Sequence, residues 1–447
     1  MALTGLDIYK LLPKTNCGEC KSPTCLAFAM RVAQKQASLE DCPHVSDEAK
    51  EQLGAASAPP IQLVTIGTGD FKLEIGNETV LFRHEETFHH PCGIAVTVSD
   101  ALSEDEIAAR ADKIVHLVFE RVGTKIAVDM VCVDNDSGDP AKFAAAAKIV
   151  ADKVPAAIIL NSENADALKA ALDVCADKRP LLNGVTADNC DAVVALAKEK
   201  DCPVGAKADG LEALAELTQK ILGAGVKEIV VDPGTRGTRE TLEALTQVRR
   251  YALRKSFRPL GYTQIAFATG SDDPMATTLK AVTFVAKYAG IVVTDAIENW
   301  QIMPLLTARA NIYTDPRSPI QVESGLHQVG DTNENSPLLL TTNFSLTYYT
   351  VEGDVESSKI PTNILVVDTE GTSVLTAWAA EKFTAEQIAS AMKKADVEKV
   401  APHKKIIVPG LIAVESGKLQ DETGWEIVVG PKESSGLPSY LKANWGG

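Results

Sequence analysis

Eight short apolar runs, each followed by a helix-patterned stretch, occupy about 220 residues in the middle of the chain, and no other feature restricts the fold so tightly. The runs are Ile94–Val98, Val128–Val133, Ala157–Leu160, Pro180–Val185, Pro203–Ala206, Glu228–Asp232, Gln264–Ala268 and Ile291–Thr294. Between them apolar residues recur at i, i+3 and i+4, as in Phe143–Val154, Ala165–Cys175, Leu211–Leu222 and Met275–Tyr288, and a last helix is expected over Trp300–Ile312. This is the count and length of a (β/α)8 barrel. A doubly wound open sheet, the competitor, more often has five to seven strands. Two lead-in strands are expected before the barrel, at Ile61–Ile66 and Glu78–Phe82.

Two breaks divide the chain. Gly54-Ala-Ala-Ser-Ala-Pro-Pro60 has the composition of a linker, and Tyr313-Thr-Asp-Pro-Arg-Ser-Pro319 ends the last barrel helix with prolines and turn formers. Beyond it the alternation resumes, with strands expected at Leu338–Thr342, Ile364–Asp368, Lys405–Val408 and Glu426–Val429 and helices at Ser373–Phe383, Ala385–Lys394 and Leu437–Asn444. The expected fold class is therefore α/β. A (β/α)8 TIM barrel over 61–319 is flanked by a small N-terminal module over 1–57, with its linker to about 60, and by a Rossmann-like α/β domain over 320–447. At roughly 150 residues per domain, 447 residues accommodate these three.

Forty-four Lys and Arg against sixty Asp and Glu leave a net charge of −16, which disfavours nucleic acid and anionic membrane surfaces as partners. No run of about 18 apolar residues exists, and Met1–Lys10 lacks the basic-then-apolar order of a signal peptide, so a cytoplasmic protein is expected. In such a chain nine cysteines are metal ligands or buried thiols rather than disulfides.

Four of them (Cys17, Cys20, Cys25 and Cys42) are spaced Cys-x2-Cys-x4-Cys-x16-Cys, enough thiolates for one [4Fe-4S] cluster. Pro23 and Thr24 are helix-starting residues, so Cys25 should open a helix whose N-terminal dipole favours an anionic group. Structural zinc more often uses two Cys-x2-4-Cys knuckles, whereas the second half here is a lone Cys42-Pro43. Spacing alone favours iron–sulfur over zinc and leaves free thiols third. The other five cysteines lie on apolar faces and read as core residues.

Asn16-Cys-Gly-Glu-Cys20 and Cys25-Leu-Ala-Phe-Ala29, placed before a barrel and a terminal α/β domain, resemble the large (gamma) subunit of the corrinoid/iron–sulfur protein of the acetyl-CoA (Wood–Ljungdahl) pathway. The likeness extends along the chain through Thr341–Tyr349, Val351-Glu-Gly353 and Leu419–Pro431. The resemblance implies a [4Fe-4S] cluster on Cys17, Cys20, Cys25 and Cys42 and a base-off cobalamin or related corrinoid held by the C-terminal domain. It also implies a heterodimer with a small subunit. The function it implies is that of an anaerobic methyl carrier rather than an independent catalyst. Co(I) would accept a methyl group from a methyltetrahydrofolate-dependent methyltransferase, methyl-Co(III) would donate it to acetyl-CoA synthase/CO dehydrogenase, and the cluster would reactivate Co(II).

Within that reading, backbone N–H groups where strands give way to helices suit corrin amides and the tail phosphate. Three loops qualify: Thr341, Thr342, Asn343, Ser345 and Leu346; Glu370, Gly371, Thr372 and Ser373; and Gly430, Pro431 and Glu433. None of the seven histidines stands two residues after an Asp, so the Asp-x-His-x-x-Gly lower-ligand motif of the common cobalamin fold does not occur. Two other readings remain: an iron–sulfur electron-transfer protein without corrinoid, and a barrel methyltransferase acting near Asp232 in Asp232-Pro-Gly-Thr-Arg-Gly-Thr-Arg239.

Overall fold

A computed structural model describes residues 5–20, 22–33, 41–46, 59–315 and 319–446. It divides into two compact units, one of residues up to Val118 with Ala127–Tyr313, the other of Phe119–Ile126 with the chain from Thr314 onward. The division falls close to the break expected after Tyr313, but it places a hairpin from the middle of the barrel sequence in the second unit. Most of the expected linker, 54–58, and residues 316–318 of the second break lie outside the described residues.

The first unit opens with α1 (Gly5–Leu11) and α2 (Cys25–Ala33). A small antiparallel pair follows, β1 (Val64–Ile66) with β2 (Leu73–Ile75), in the register Val64↔Ile75. The strand expected over Glu78–Phe82 is absent, and β2 replaces it. The chain turns at Gly76, whose φ of +93° only glycine adopts without strain. The Arg249 guanidinium then takes the Glu78 carboxylate at 3.1 Å and the Val80 carbonyl at 2.7 Å, so these groups do not enter a ladder.

The alternation then runs β3 (Gly93–Ser99), α3 (Glu104–Val115), a two-stranded hairpin β4 (Val118–Arg121) and β5 (Thr124–Ala127), and β6 (Met130–Asp134). It continues with α4 (Pro140–Lys153), β7 (Ala157–Asn161), α5 (Ala165–Cys175), β8 (Leu181–Val185), α6 (Cys190–Lys200) and β9 (Val204–Lys207). Next come α7 (Leu211–Gly223), β10 (Ile229–Asp232), α8 (Thr238–Lys255), β11 (Thr263–Ala268), α9 (Pro274–Val285), β12 (Ile291–Thr294) and α10 (Asn299–Tyr313). Strand β3 and strands β6 to β12 pair in parallel and close on themselves, the eight-stranded barrel expected from the alternation. Helix starts are written locally: Asp139 and Asp273 each precede a proline at the first helical position and accept a hydrogen bond from the N–H two residues on, at 2.8 and 2.9 Å.

Alternate strand residues fill the barrel. Ala95, Met130, Cys132, Ala157, Ile159, Leu181, Val230, Ile265, Phe267, Ile291 and Val293 form one buried cluster, and Val64, Ile66 and Ile75 of the β1–β2 pair join it. Ala157, Leu181 and Ile291 start their strands, so the small pair seals the amino-terminal end of the barrel. The five cysteines expected in the core, Cys92, Cys132, Cys175, Cys190 and Cys202, are all buried. Burial pushes their thiols up, Cys202 to about 11 and Cys92 and Cys175 to about 12, so at neutral pH they are protonated packing groups.

The second unit centres on β13 (Gly325–Val329), β14 (Leu338–Thr342), α11 (Ser345–Ser358), β15 (Thr362–Val367), α12 (Val374–Ala379), α13 (Ala385–Lys394), β16 (Lys405–Val408), α14 (Ser416–Thr423), β17 (Glu426–Val429) and α15 (Leu437–Trp445). The sheet is open, in the order β13-β15-β14-β16-β17, all parallel except the edge strand β13. Successive residues serve opposite faces, as the two-residue period of a strand requires. Leu338, Leu340, Leu365 and Val367 pack with Phe383, Ile388 and Met392, while Leu339, Ile364, Val366 and Ile407 pack with Tyr348, Val355 and Leu441. Both faces are covered, so this sheet has a two-sided core of its own.

Candidate functional site

In the N-terminal segment Ile8 of α1, Phe28 and Ala29 of α2, and Leu12 and Val45 outside the helices cluster with Cys20, Cys25 and Cys42, which are buried, while Cys17 is exposed. Thr24 accepts a hydrogen bond from the Ala27 N–H at 3.1 Å, and Cys25 is the first residue of α2, the position expected for it. The Cys25 N–H donates to Asn16 Oδ1 at 2.8 Å, and the Asn16 N–H points at Cys25 Sγ at 3.4 Å. Asn16 and Gly18, on either side of Cys17, both have left-handed φ values (+49° and +78°), which bend this stretch sharply. Three sulfurs in an apolar cup, a backbone N–H directed at one of them and a helix N-terminus behind it fit an anionic iron–sulfur group. The Glu19–His44 pair, at 3.0 Å, stands on the exposed side beside Cys17.

In the second unit a cleft of about 310 Å³ opens at the carboxyl ends of β14 and β16. The chain leaves β14 toward β15 on one side, then returns to β16 on the other, so neighbouring strands feed connections in opposite directions. Open parallel sheets bind ligands at such a switch point. Of the residues expected to contact a corrinoid, Thr341, Leu346, Ser373, Gly430 and Pro431 line the cleft. Thr342, Asn343, Ser345, Glu370, Gly371, Thr372 and Glu433 do not. Asn343 is instead a hub: its Oδ1 accepts from the N–H groups of Thr369 and Gly371 and the Thr369 hydroxyl at 2.9–3.1 Å, and its Nδ2 donates to Asp368 and Gln321. Glu370 is exposed and paired with Lys382.

The remaining walls were not anticipated. They come from the face of α11 (Thr347, Thr350, Val351), from Val408 at the end of β16 with Pro409 and Leu411 beyond it, and from Lys432 and Leu437. Gly410 carries no side chain because a Cβ there would stand 2.6 Å from the Gly430 carbonyl, which keeps the loops after β16 and β17 in contact. The hydroxyls of Thr341, Thr342 and Ser345 are buried and have no hydrogen-bond partner among the described residues. Such orphans cost about 1–3 kcal/mol each, and Thr341, the one of the three that lines the cleft, suits a ligand bearing amides or a phosphate. The cleft accepts only part of a corrinoid, which is larger than this space.

At the barrel's carboxyl end Asp232 is buried and already engaged: Arg236 meets both its oxygens, at 3.0 and 2.8 Å, and the Gly234 N–H meets Oδ1 at 2.9 Å. The Arg236 guanidinium lies 4.3 Å over the Phe267 ring. This carboxylate is neutralised in place, an arrangement that holds a loop rather than one poised to move a proton.

A cysteine-lined segment, a self-filled barrel and an open sheet with a switch-point cleft together define a subunit built to hold prosthetic groups. A family model described as "CO dehydrogenase/acetyl-CoA synthase delta subunit" matches residues 63–441, and one described as "Putative Fe-S cluster" matches residues 12–44. The corrinoid/iron-sulfur protein large subunit of Moorella thermoacetica is 50% identical over 446 residues, 99% of each chain. The acetyl-CoA decarbonylase/synthase complex subunit gamma of Methanothermobacter thermautotrophicus is 38% identical, again over 99% of each. The chain belongs to this family of corrinoid/iron-sulfur protein large subunits and acetyl-CoA decarbonylase/synthase gamma subunits. Among solved structures, a 7,8-dihydropteroate synthase from Vibrio fischeri covers 51% of this chain and 95% of its own at 13% identity and a TM-score of 0.40, too slight a likeness to build on.

Proposed function

We propose that this chain is the cluster- and corrinoid-holding subunit of a methyl-transfer system. It would act as three domains, over 1–57, 61–319 and 320–447, in the cytoplasm of an anaerobe. When bound, the corrinoid supplies the cobalt that takes up and passes on a methyl group, and a [4Fe-4S] cluster supplies the electron that restores it after oxidation. The chain's own part is to hold and expose these groups. Cys17, Cys20, Cys25 and Cys42 ligate the cluster, with the Asn16 N–H and the start of α2 favouring its negative charge.

The observation that carries the corrinoid reading is the switch-point cleft with the unpartnered Thr341 hydroxyl in its wall. Thr341, Ser373 and the N–H groups after β17 would take the polar substituents, and Leu346, Leu375 and Val351 the apolar edge. A base-off state without a ligand from this chain belongs to the same reading. The cleft's modest volume supports a shared site completed by a small subunit. The proposed methyl donor partner is a methyltetrahydrofolate-dependent methyltransferase, and the acceptor is acetyl-CoA synthase/CO dehydrogenase. Metal analysis of the anaerobically purified heterodimer tests the reading: iron and cobalt together are expected, and iron without cobalt overturns it in favour of simple electron transfer.

A further inference from the structure

The four cysteines assigned to the cluster are not held alike. Cys20, Cys25 and Cys42 are 8%, 5% and 3% exposed and share a cluster with Ile8, Phe28 and Val45, whereas Cys17 is exposed. Left-handed backbone at Asn16 and Gly18 turns the chain outward on both sides of it. Apart from its chain neighbours, no described atom lies within 4 Å of where a Gly18 side chain would begin, so nothing packs over this bend.

Cys17 also has company of a kind the buried three lack. Its Sγ, a Glu19 carboxylate oxygen and a His44 ring nitrogen lie within 4.8 Å of one another, the one such group of metal-binding side chains among the described residues. Both neighbours ride on backbone that a bound cluster would fix, since Glu19 directly precedes Cys20 and His44 follows Cys42 across Pro43. His44 Nε2 donates to Glu19 Oε2 at 3.0 Å. A carboxylate that takes one ring N–H leaves the lone pair on the other nitrogen, here Nδ1, and this is how a histidine is prepared for a metal. With side chains 46% and 56% exposed, the pair adds little as an ion pair, so stability does not account for it.

We propose that His44 is a reserve ligand for the iron held by Cys17, positioned by Glu19 to take that iron when the Cys17 thiolate is lost. The exchange is a ligand substitution. The bond from iron to Cys17 Sγ breaks, a bond from His44 Nδ1 to the same iron forms, and no electron moves. Iron in such clusters accepts imidazole in place of thiolate, and the swap removes negative charge and raises the potential. An exposed cysteine is the ligand that a thiol reagent or oxidant in solution meets first. A second donor at this corner therefore keeps the cluster whole where it would otherwise shed an iron, while the buried corners are protected by packing instead. The inference rests on the cluster reading and adds to it which corner is replaceable.

The test compares Cys17→Ala, His44→Ala and the double variant as anaerobically purified heterodimers, by iron content and, after reduction, by electron paramagnetic resonance with detection of nitrogen couplings. Wild type and His44→Ala should each hold about four irons per chain. Cys17→Ala should also hold about four, with a new imidazole nitrogen coupling and a more positive potential, while the double variant falls to about three or fewer. On the Cys17→Ala background, Glu19→Gln keeps an acceptor for Nε2 and should retain the coupling, whereas Glu19→Ala should weaken it. Loss of iron from Cys17→Ala equal to that from the double variant overturns the proposal, and failure of Cys17→Ala to fold counts as the same result, because the proposal requires the cluster to survive. A full cluster in the double variant overturns it too, since another donor then serves. Wild-type heterodimer without iron would instead sink the cluster reading itself, an outcome distinct from either.

Discussion

The four cysteines of the N-terminal segment fall within residues 17–42, whereas the walls of the cleft come from segments scattered between Leu339 and Leu437. Their supports differ as much as their spacing. The cysteine segment has a core of a few side chains from two short helices, and a module of about 40 residues rarely buries enough apolar surface to fold unaided. The cleft sits on a sheet packed on both faces, whose order does not depend on anything bound. Ligand bonds are thus part of the fold in the first region and an addition to it in the second.

The sharpest way to break this comparison is Cys20→Ala. It should remove essentially all the iron and expose residues 5–46 to protease, while cobalt content and methyl transfer from pre-reduced cobalt persist and reductive rescue is lost. Retained iron, or a protected segment without it, would remove the contrast. Next in size is Asn343→Ala, which strips three donors of their acceptor and should cost about 3 kcal/mol or more in urea-induced unfolding of the C-terminal unit, with iron unchanged.

The barrel serves as a control, since neither proposed cofactor is assigned to it. Asp134 has its folded pKa raised to about 6 from 3.8, so the native state holds its proton more tightly than the unfolded chain. Its contribution is therefore favourable at low pH and lost as pH climbs from about 4 through 6. Asp134→Asn should raise the unfolding free energy by about 1–2 kcal/mol at pH 8 and leave it nearly unchanged at pH 4. A pH-independent effect would remove the assigned cause. The smallest effect is expected for Thr341→Val, which keeps the shape and deletes an unpartnered hydroxyl: stability without corrinoid should rise by up to about 1 kcal/mol, while corrinoid retention falls.

The same contrast explains what could be read from residues alone. Barrel strands were readable because they are apolar throughout and each is followed by a helix with its own period. Cysteine spacing is likewise local. Helix α11 escaped because its sequence, rich in Thr, Tyr and Val and interrupted by Gly353, carries almost no helical stripe, and β13 is a short, partly exposed edge. That Leu346 and Ser373 stand at the cleft is legible because they begin the helices that follow β14 and β15. Pro409, Leu411 and Thr350 were not, since only the pairing of β14 with β16 brings them to the same opening. Asn343 stands in the same junction after β14, and only the fold shows that its amide ties the loops after β14 and β15 together.

The β1–β2 pair, with Val64, Ile66 and Ile75 wedged under the barrel, has one more consequence. It closes the amino-terminal end of a barrel that its own side chains already fill, so of the two ends only the carboxyl-terminal rim, where Asp134 and Asn161 are half-buried, is left to meet water.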